Sequence, residues 1–346
     1  MNFLLVLFIL FLCIIKSEDF EIPKFIVPLC SGLIGAFYLL LIVLFLGNYF
    51  SPVARELKNV FKPDPSLEIE KSDCATKYPV LLVHGTGFRD RILANYWSII
   101  PYLLREHGAK VYYSRHDAWA NIETSAAQIV SGLEKALADS GAEKVNVIAH
   151  SKGGIDVRYA ISELGIKDKV ASFTMISSPN YGSKTIDRVY EVLGEGIFKF
   201  AAVFVDLWFR LLGDKKPDFY GTTSQFRFSY MKEFNMKYPN DDSIYTQSFA
   251  GIMKNPFSDF SMFMLNFIVS LSEGKNDGLV CEDSAKWGNY RGTLEARSLI
   301  GISHAHEVDA YRTNPMLKEH PGLPAGTKTI RDFYVGLVKE LKVKGL

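Results

Sequence analysis

The run Lys144-Val145-Asn146-Val147-Ile148-Ala149-His150-Ser151-Lys152-Gly153-Gly154 constrains the fold more than any other stretch of the chain. Its first half is a short apolar segment suited to a buried parallel strand, and a helical pattern follows from Lys152. A strand that turns at once into a helix needs small residues two before and two after the turning residue. Larger side chains there would strike the neighbouring strand and helix. Gly153 meets that need, and Ala149, the next smallest side chain, stands where glycine is usual. Ser151 is therefore predicted to project above a sheet beside the positive end of a helix, placed to act as a nucleophile.

The surrounding pattern supports a sheet of this kind. Tyr78 to His84 reads as a buried strand, 95–107 as a helix, and Val111-Tyr112-Tyr113 as a strand. A second helix is predicted over 122–139, capped by Asn121 or Thr124, and Val170 to Ile176 is a further strand. Strands alternating with helices of this length predict an α/β fold, mainly a parallel sheet flanked by helices. A last helix over 327–342 places Ile330, Phe333, Tyr334, Leu337, Val338 and Leu341 on one apolar face, which should cover the sheet. An apolar fraction of 48% supplies a sizeable core. A net charge of +1 without a long basic run leaves no electrostatic footprint for nucleic acid.

The N-terminus is of a different character. Residues 2–15 are almost wholly apolar, and no charged residue occurs from Phe25 to Ala54. Phe25 to Leu46 has the length of a transmembrane helix, and Pro28, Gly32 and Gly35 are tolerated in such helices. Residues 1–50 are thus predicted to hold membrane segments. The first fits either a signal-peptide core without a basic leader and cleavage site, or a short first span. Lys16 and Lys24 lie before the second segment, and Arg55, Lys58 and Lys62 after it, so the positive-inside bias is slight. Two spans, or a cleaved signal, would leave the following domain in the cytoplasm; a lone signal anchor would export it.

Residues 51–77, with Pro52, Pro63 and Pro65, read as a linker to a domain over 78–346. Cys13 and Cys30 fall in the apolar segments. Cys74 and Cys281 could close one bridge, but four scattered cysteines make no disulfide framework, and no CxxC or His-rich spacing suggests zinc.

A serine nucleophile needs a base, an acid to orient it, and donors for the oxyanion. The chain order expected for this fold is Ser, acid, His. Downstream of Ser151 stand His304, His306 and His320. The first two follow Ser298-Leu299-Ile300-Gly301-Ile302, which suits a strand leading into a loop; His320 lies in a Pro/Gly-rich stretch. Asn276-Asp277-Gly278 is a turn signal that could present an aspartate, with Asp283 and Glu273 as alternatives. Lys152, next after the serine, offers one backbone donor. The loop His84-Gly85-Thr86-Gly87-Phe88 offers the other, with Thr86 as the candidate and His84 read as structural.

Taken together these motifs resemble the bacterial triacylglycerol lipases of the α/β-hydrolase superfamily. The likeness runs from about Tyr78 to Tyr311. It includes Tyr78–Gly85, Val147–Gly154, Ser178-Pro179-Asn180-Tyr181-Gly182-Ser183, Phe234–Pro239, Asn276–Val280 and His304-Ala305-His306-Glu307-Val308. The resemblance implies Ser151 as nucleophile, Asp277 as acid and His304 as base, because two residues separate the base from Glu-Val in the family pattern. It implies hydrolysis of lipid acyl esters through an acyl-enzyme. An acyltransferase, phospholipase or thioesterase would use the same triad, and a non-catalytic membrane lipid-binding protein would keep the fold without turnover. Many of these lipases hold a structural calcium through an aspartate two residues after the histidine. Here that position is His306, a poor ligand for an oxygen-seeking ion, so no cofactor is expected. The N-terminal apolar segments are a second departure, since secreted relatives carry a cleavable signal.

Residues 184–260 interrupt the α/β pattern. Ile197 to Leu212 is nearly all apolar, with Lys199, Asp206 and Arg210 in one narrow helical stripe. Such a segment is either a buried core helix or a lid that turns toward lipid. Phe257, Phe260, Met262, Phe263, Met264 and Phe267 form a second apolar stretch that suits an acyl-chain rim or core.

Overall fold

The computed structural model describes residues 72–90, 95–299 and 301–346. The apolar segments of residues 1–50, with Cys13 and Cys30, and most of the 51–77 linker lie outside the described residues. Among the described residues no helix is long and apolar enough to cross a membrane.

In chain order the elements are β1 (Val80–Val83), α1 (Ile100–Glu106), β2 (Val111–Tyr113), α2 (Ile122–Ser140), β3 (Val145–His150), α3 (Lys152–Glu163) and β4 (Val170–Ile176). Four helices follow: α4 (Lys184–Leu193), α5 (Glu195–Leu211), α6 (Phe219–Gln225) and α7 (Phe228–Lys237). The chain then closes with β5 (Tyr245–Gly251), α8 (Phe263–Glu273), α9 (Glu282–Ala285), β6 (Asn289–Leu294) and α10 (Ile330–Val343).

The strands form one sheet in the order β2-β1-β3-β4-β5-β6, and every neighbouring pair is parallel. Both faces of such a sheet are covered, so its strands are apolar on both sides. β1 shows the division: Val80 and Leu82 join the core under α1 and α10, while Leu81 and Val83 join the core under α2 and α3. The six apolar residues of α10 are all fully buried, and Thr329 caps that helix. Asn121 caps α2 through the N–H of Thr124.

The chain runs outward from β1 to β2 and then crosses back past β1 to β3. The connections leaving β1 and β3 therefore part in opposite directions. This is the switch point of the strand order, and the carboxyl ends at such a point are the place where sheets of this kind bind ligands. Val83 pairs with Ala149 there, so the loop after β1 faces the turn after β3.

Several expectations change. The first helix begins at Ile100, later than position 95, with Pro101 in its first turn. The described residues of 298–302 are in no strand; the strand that precedes the histidines is β6, and Ile302 N–H bonds Ile252 O at 2.7 Å. The stretch 184–260 contains a core strand, β5, so its α-helices occupy 184–237. β5 was hard to see because Tyr245-Thr246-Gln247-Ser248 is polar. Those polar groups are buried but paired, Gln247 to Thr174 Oγ1 at 2.9 Å and Ser248 to Trp287 O at 2.7 Å. Cys74 and Cys281 are separate buried thiols, so the single bridge does not form. Burial, and then Asp73 beside Cys74 and Glu273 beside Cys281, pushes both thiols up to about 12.

α5 is not a core helix on its outer side. Ala201, Ala202, Val205 and Phe209 are buried, whereas Phe200, Val203, Phe204, Leu207 and Leu211 face outward. Phe200 is 66% exposed and Leu211 74%, far more than a soluble helix usually leaves in one stripe. In the second apolar stretch Phe257 is 78% exposed, and Phe260 and Phe267 are also exposed.

Candidate active site

Ser151 sits at the turn between β3 and α3 with φ 57° and ψ −135°, a left-handed backbone that a non-glycine residue adopts only when its surroundings force it. The force is close packing. A Cβ on Gly153 would lie 2.5 Å from the carbonyl oxygen of His84 and 2.8 Å from that of Val83. A Cβ on Gly85 would lie 2.5 Å from Ser151 Cβ and 3.0 Å from its Oγ. The loop after β1 therefore lies directly against the serine, and glycine is required on both sides of the contact. Lys152 opens α3, so its N–H is one of the donors that a helix start leaves without an intrahelical partner. Thr86 is half-buried on the facing loop, between Gly85 and Gly87, the latter at φ 97°.

Asp277 and His304 lie beyond β5 and β6, at the same carboxyl edge. The Asn276-Asp277-Gly278 turn is held from all sides. Asn276 Oδ1 accepts the Gly278 N–H, and Asp277 Oδ1 accepts those of Leu279 and Val280, each at 2.8 Å. The other carboxylate oxygen, Oδ2, meets His304 Nδ1 at 2.7 Å, and the His304 N–H bonds Asp277 O at 2.8 Å. Asp277 is fully buried and His304 nearly so. Among the described residues neither His304 Nε2 nor Ser151 Oγ has a hydrogen bond. The second ring nitrogen and the hydroxyl are thus both available at this edge.

The other histidines are placed elsewhere. His306 Nδ1 faces Ser303 Oγ at 2.9 Å, and burial lowers its pKa. His320 is exposed against the Gly292 backbone. His84 stacks on His116 with ring centroids 3.7 Å apart, and burial lowers its pKa to about 4. This is a neutral, structural pair. Asp283 is an exposed residue paired with Lys286, and Glu273 binds Ser183 and Thr185; neither joins His304.

Two side chains behind the site have roles that the sequence alone does not show. Glu307 is fully buried; its carboxyl meets His150 Nε2 at 2.8 Å and Ser177 Oγ at 2.7 Å, and stands 3.9 Å from His304 Nδ1. His150 Nδ1 in turn meets Tyr96 Oη at 2.6 Å. Burial, and then the charge of Asp277, pushes the Glu307 carboxyl well above its usual range. Burial, then His304, holds His150 well below the usual histidine value. The only signal was Glu307 itself, which spacing alone could not distinguish from a surface acid. The second group is Lys152, whose ammonium is buried between Asp156 Oδ1 at 2.6 Å and Ser125 Oγ at 2.9 Å. Asp156 Oδ2 has no partner, and burial raises that carboxyl to about 7 despite the lysine.

Neither possible metal centre fits an ion. His150, His304 and Glu307 gather ligand-type atoms within 4.8 Å, but those atoms already bond one another, Asp277 or Tyr96. At the position where the resemblance would put calcium, Asp259 offers one carboxylate already bonded by Ser261, Ser303 and Tyr311. His306 contributes a nitrogen that a hard cation disfavours.

No protein-family model matches the chain. It is 28% identical to triacylglycerol lipase 2 of Saccharomyces cerevisiae over 288 residues, which is 80% of this chain and 79% of the yeast protein. It is 34% identical to a triacylglycerol lipase of Burkholderia plantarii over 147 residues, covering 41% of this chain and 40% of that protein. It is 39% identical to one of Vibrio cholerae over 122 residues, covering 35% and 38%. The chain thus spans about two fifths of these bacterial relatives. Among solved structures it resembles a metagenomic carboxyl esterase with TM-score 0.57 and 16% identity, over 77% of this chain and 76% of the other. It also resembles a Staphylococcus hyicus lipase with TM-score 0.54 and 16% identity, over 68% and 90%. At such identities these structures bear on the fold alone. The similarities support the α/β-hydrolase superfamily without singling out one family, and hydrolysis of acyl esters in general.

Proposed function

We propose that the chain is a membrane-anchored lipase or carboxylesterase whose catalytic domain, residues 78–346, works through Ser151, Asp277 and His304. The observation that carries this reading is the 2.7 Å bond between Asp277 and His304 Nδ1 at the sheet edge that also holds the strained Ser151 turn. Asp277 fixes the tautomer in which Nε2 is unprotonated. His304 Nε2 takes the hydroxyl proton as Ser151 Oγ attacks the acyl carbonyl carbon. The carbonyl oxygen gains charge and is held by the backbone N–H groups of Lys152 and Thr86. His304 then gives the proton to the departing alkoxide, and an acyl-Ser151 ester remains. Water, deprotonated by His304, attacks that ester, releases the carboxylic acid, and returns the proton to Ser151.

The exposed apolar stripe of α5 supports a lid that meets aggregated lipid. The apolar segments of residues 1–50 support anchoring in a membrane.

A fluorophosphonate probe tests the nucleophile: wild type is labelled and Ser151→Ala is not. Equal labelling of both would sink the assignment. Product analysis with added alcohol separates hydrolysis from acyl transfer. Hydrolysis of a short-chain ester followed through its solubility limit tests the lid, for which a rise in rate at the interface is expected. Alkaline carbonate washing of membranes tests the anchor; release of the full chain into the wash would refute it.

A further inference from the structure

The C-terminal end of α5 is fastened to the loop after β2 by two carboxylates that exchange partners. Asp214 Oδ2 accepts the N–H groups of Ala118 at 2.9 Å and Trp119 at 3.1 Å. Asp117 Oδ2 accepts those of Lys215 at 2.9 Å and Lys216 at 2.8 Å. Both carboxylates are buried, and burial, with Asp117 adding repulsion, raises the Asp214 pKa. Such a pair holds only if a cation offsets it. Arg89 supplies that cation. Its Nη1 donates to Gly213 O at 2.6 Å and to Asp214 Oδ1 at 3.1 Å, and lies 3.7 Å from Asp117 Oδ1.

Arg89 belongs to the loop after β1, three residues beyond Thr86. That loop is pliable where it matters, since Gly85 and Gly87 flank the candidate donor. One end is pinned by Gly85 under Ser151; beyond Thr86 it is held by Gly87 N–H on Ala118 O at 3.3 Å and by Arg89. A backbone donor stabilises an oxyanion only if it is fixed before charge develops. The same guanidinium therefore touches the anchor of the helical insertion and the loop that carries a donor.

We propose that Arg89 is a positioning residue that registers the Thr86 N–H against the seated end of α5, so that oxyanion stabilisation follows the placement of the helical insertion. This rests on the serine-hydrolase reading above. The polar contacts of Arg89 are with Gly213, Asp214 and Asp117 and, among the described residues, none is with Ser151, so its removal should act on turnover and leave substrate binding alone.

The test compares full-length wild type, Arg89→Met, Arg89→Lys and Asp214→Asn on a soluble short-chain ester. A trifluoromethyl ketone, whose serine adduct carries the oxyanion, is titrated as inhibitor. The expected loss for Arg89→Met is about ten- to hundredfold in kcat, the scale of a misplaced reacting group. KM should stay within about twofold, and ketone affinity should fall in step with kcat, as transition-state complementarity requires. Arg89→Lys, which keeps the charge but not the fork, should recover part of both, and Asp214→Asn should follow the same line with a smaller loss. Unchanged kcat and ketone affinity in Arg89→Met, whatever its melting temperature, overturns the proposal. So does a kcat loss that the ketone does not track. If Arg89→Met does not fold, Arg89→Lys and Asp214→Asn decide by the same two readouts. A wild type without turnover and without Ser151-dependent labelling would instead refute the serine-hydrolase reading.

Discussion

Glu307 offers the sharpest test of the electrostatics behind the site. Its carboxyl is fully buried beside Asp277 and His304, touches His150 and Ser177, and is pushed well above its usual range by burial and then by Asp277. A carboxyl so placed is harder to ionise than an ordinary one, because burial and the neighbouring Asp277 both disfavour its charged form. Two substitutions then separate shape from charge. Glu307→Ala strands His150 Nε2 and takes the acceptor of the Ser177 hydroxyl, which keeps only the Gly251 N–H; at about 1–3 kcal/mol for each buried group that loses its partner, roughly 4 kcal/mol is lost. For a domain of this size that is about 10 °C in Tm. Glu307→Gln is nearly isosteric with the protonated acid and should cost less than about 1.5 kcal/mol.

The pH dependence follows in sign. The folded-state pKa lies above the unfolded value near 4.5, so the folded state binds more protons at intermediate pH. Stability from this group is full below that value and is lost as pH rises through the folded pKa. Glu307→Gln removes the loss, so its melting temperature should gain on wild type as pH rises through the folded Glu307 value. Thermal melts of the three proteins across the pH range in which wild type stays folded are the assay. A Gln variant as unstable as the Ala variant, or one whose gap from wild type does not change with pH, would refute the raised Glu307 carboxyl.

Three further outcomes are expected. Gly85→Ala would place a Cβ 2.5 Å from Ser151 Cβ and 2.7 Å from Tyr96 Oη, so probe labelling should slow more than tenfold. The fold should lose only about 1–3 kcal/mol, read by circular dichroism melts. Lys152→Met strands Asp156 and should cost about 3–5 kcal/mol near pH 8. The folded Asp156 carboxyl stands at about 7 against 3.8, so its stability is full below about 4 and lost as pH rises through 7. The gap to wild type should therefore narrow at pH 5, and Lys152→Met with Asp156→Leu should recover most of it. A chelator should leave activity and Tm unchanged, because the Asp259 oxygens are filled by Ser261, Ser303 and Tyr311. A loss restored by calcium would overturn that reading.

The sequence by itself determined the parts whose causes are local. The strand-turn-helix at Ser151 was legible because only small side chains fit two residues to either side, and the fit at Gly153 is a matter of ångströms. The face of α10 was legible because its period matches a helix lying on a sheet. The turn at Asp277 was legible from Asn-Asp-Gly alone, since such residues bond their own backbone.

Tertiary structure decided what depends on partners distant in the chain. β5 is polar in sequence and becomes a core strand only because Thr174 and Trp287 pair its side chains. The stripe on α5 could have been core; packing on one side alone turned five large apolar residues outward. Glu307 and Arg89 are charged residues that composition assigns to the surface. Each is buried or half-buried against a partner that sequence spacing does not reveal: His150 157 positions away and Asp214 125 away. A local rule can mark a candidate nucleophile, because the small residues that the turn needs lie within five positions, although they make room for the Val83 and His84 carbonyls of a neighbouring strand. The field around that candidate is set by which charges the fold removes from water together, and that is fixed only when the sheet has closed its order.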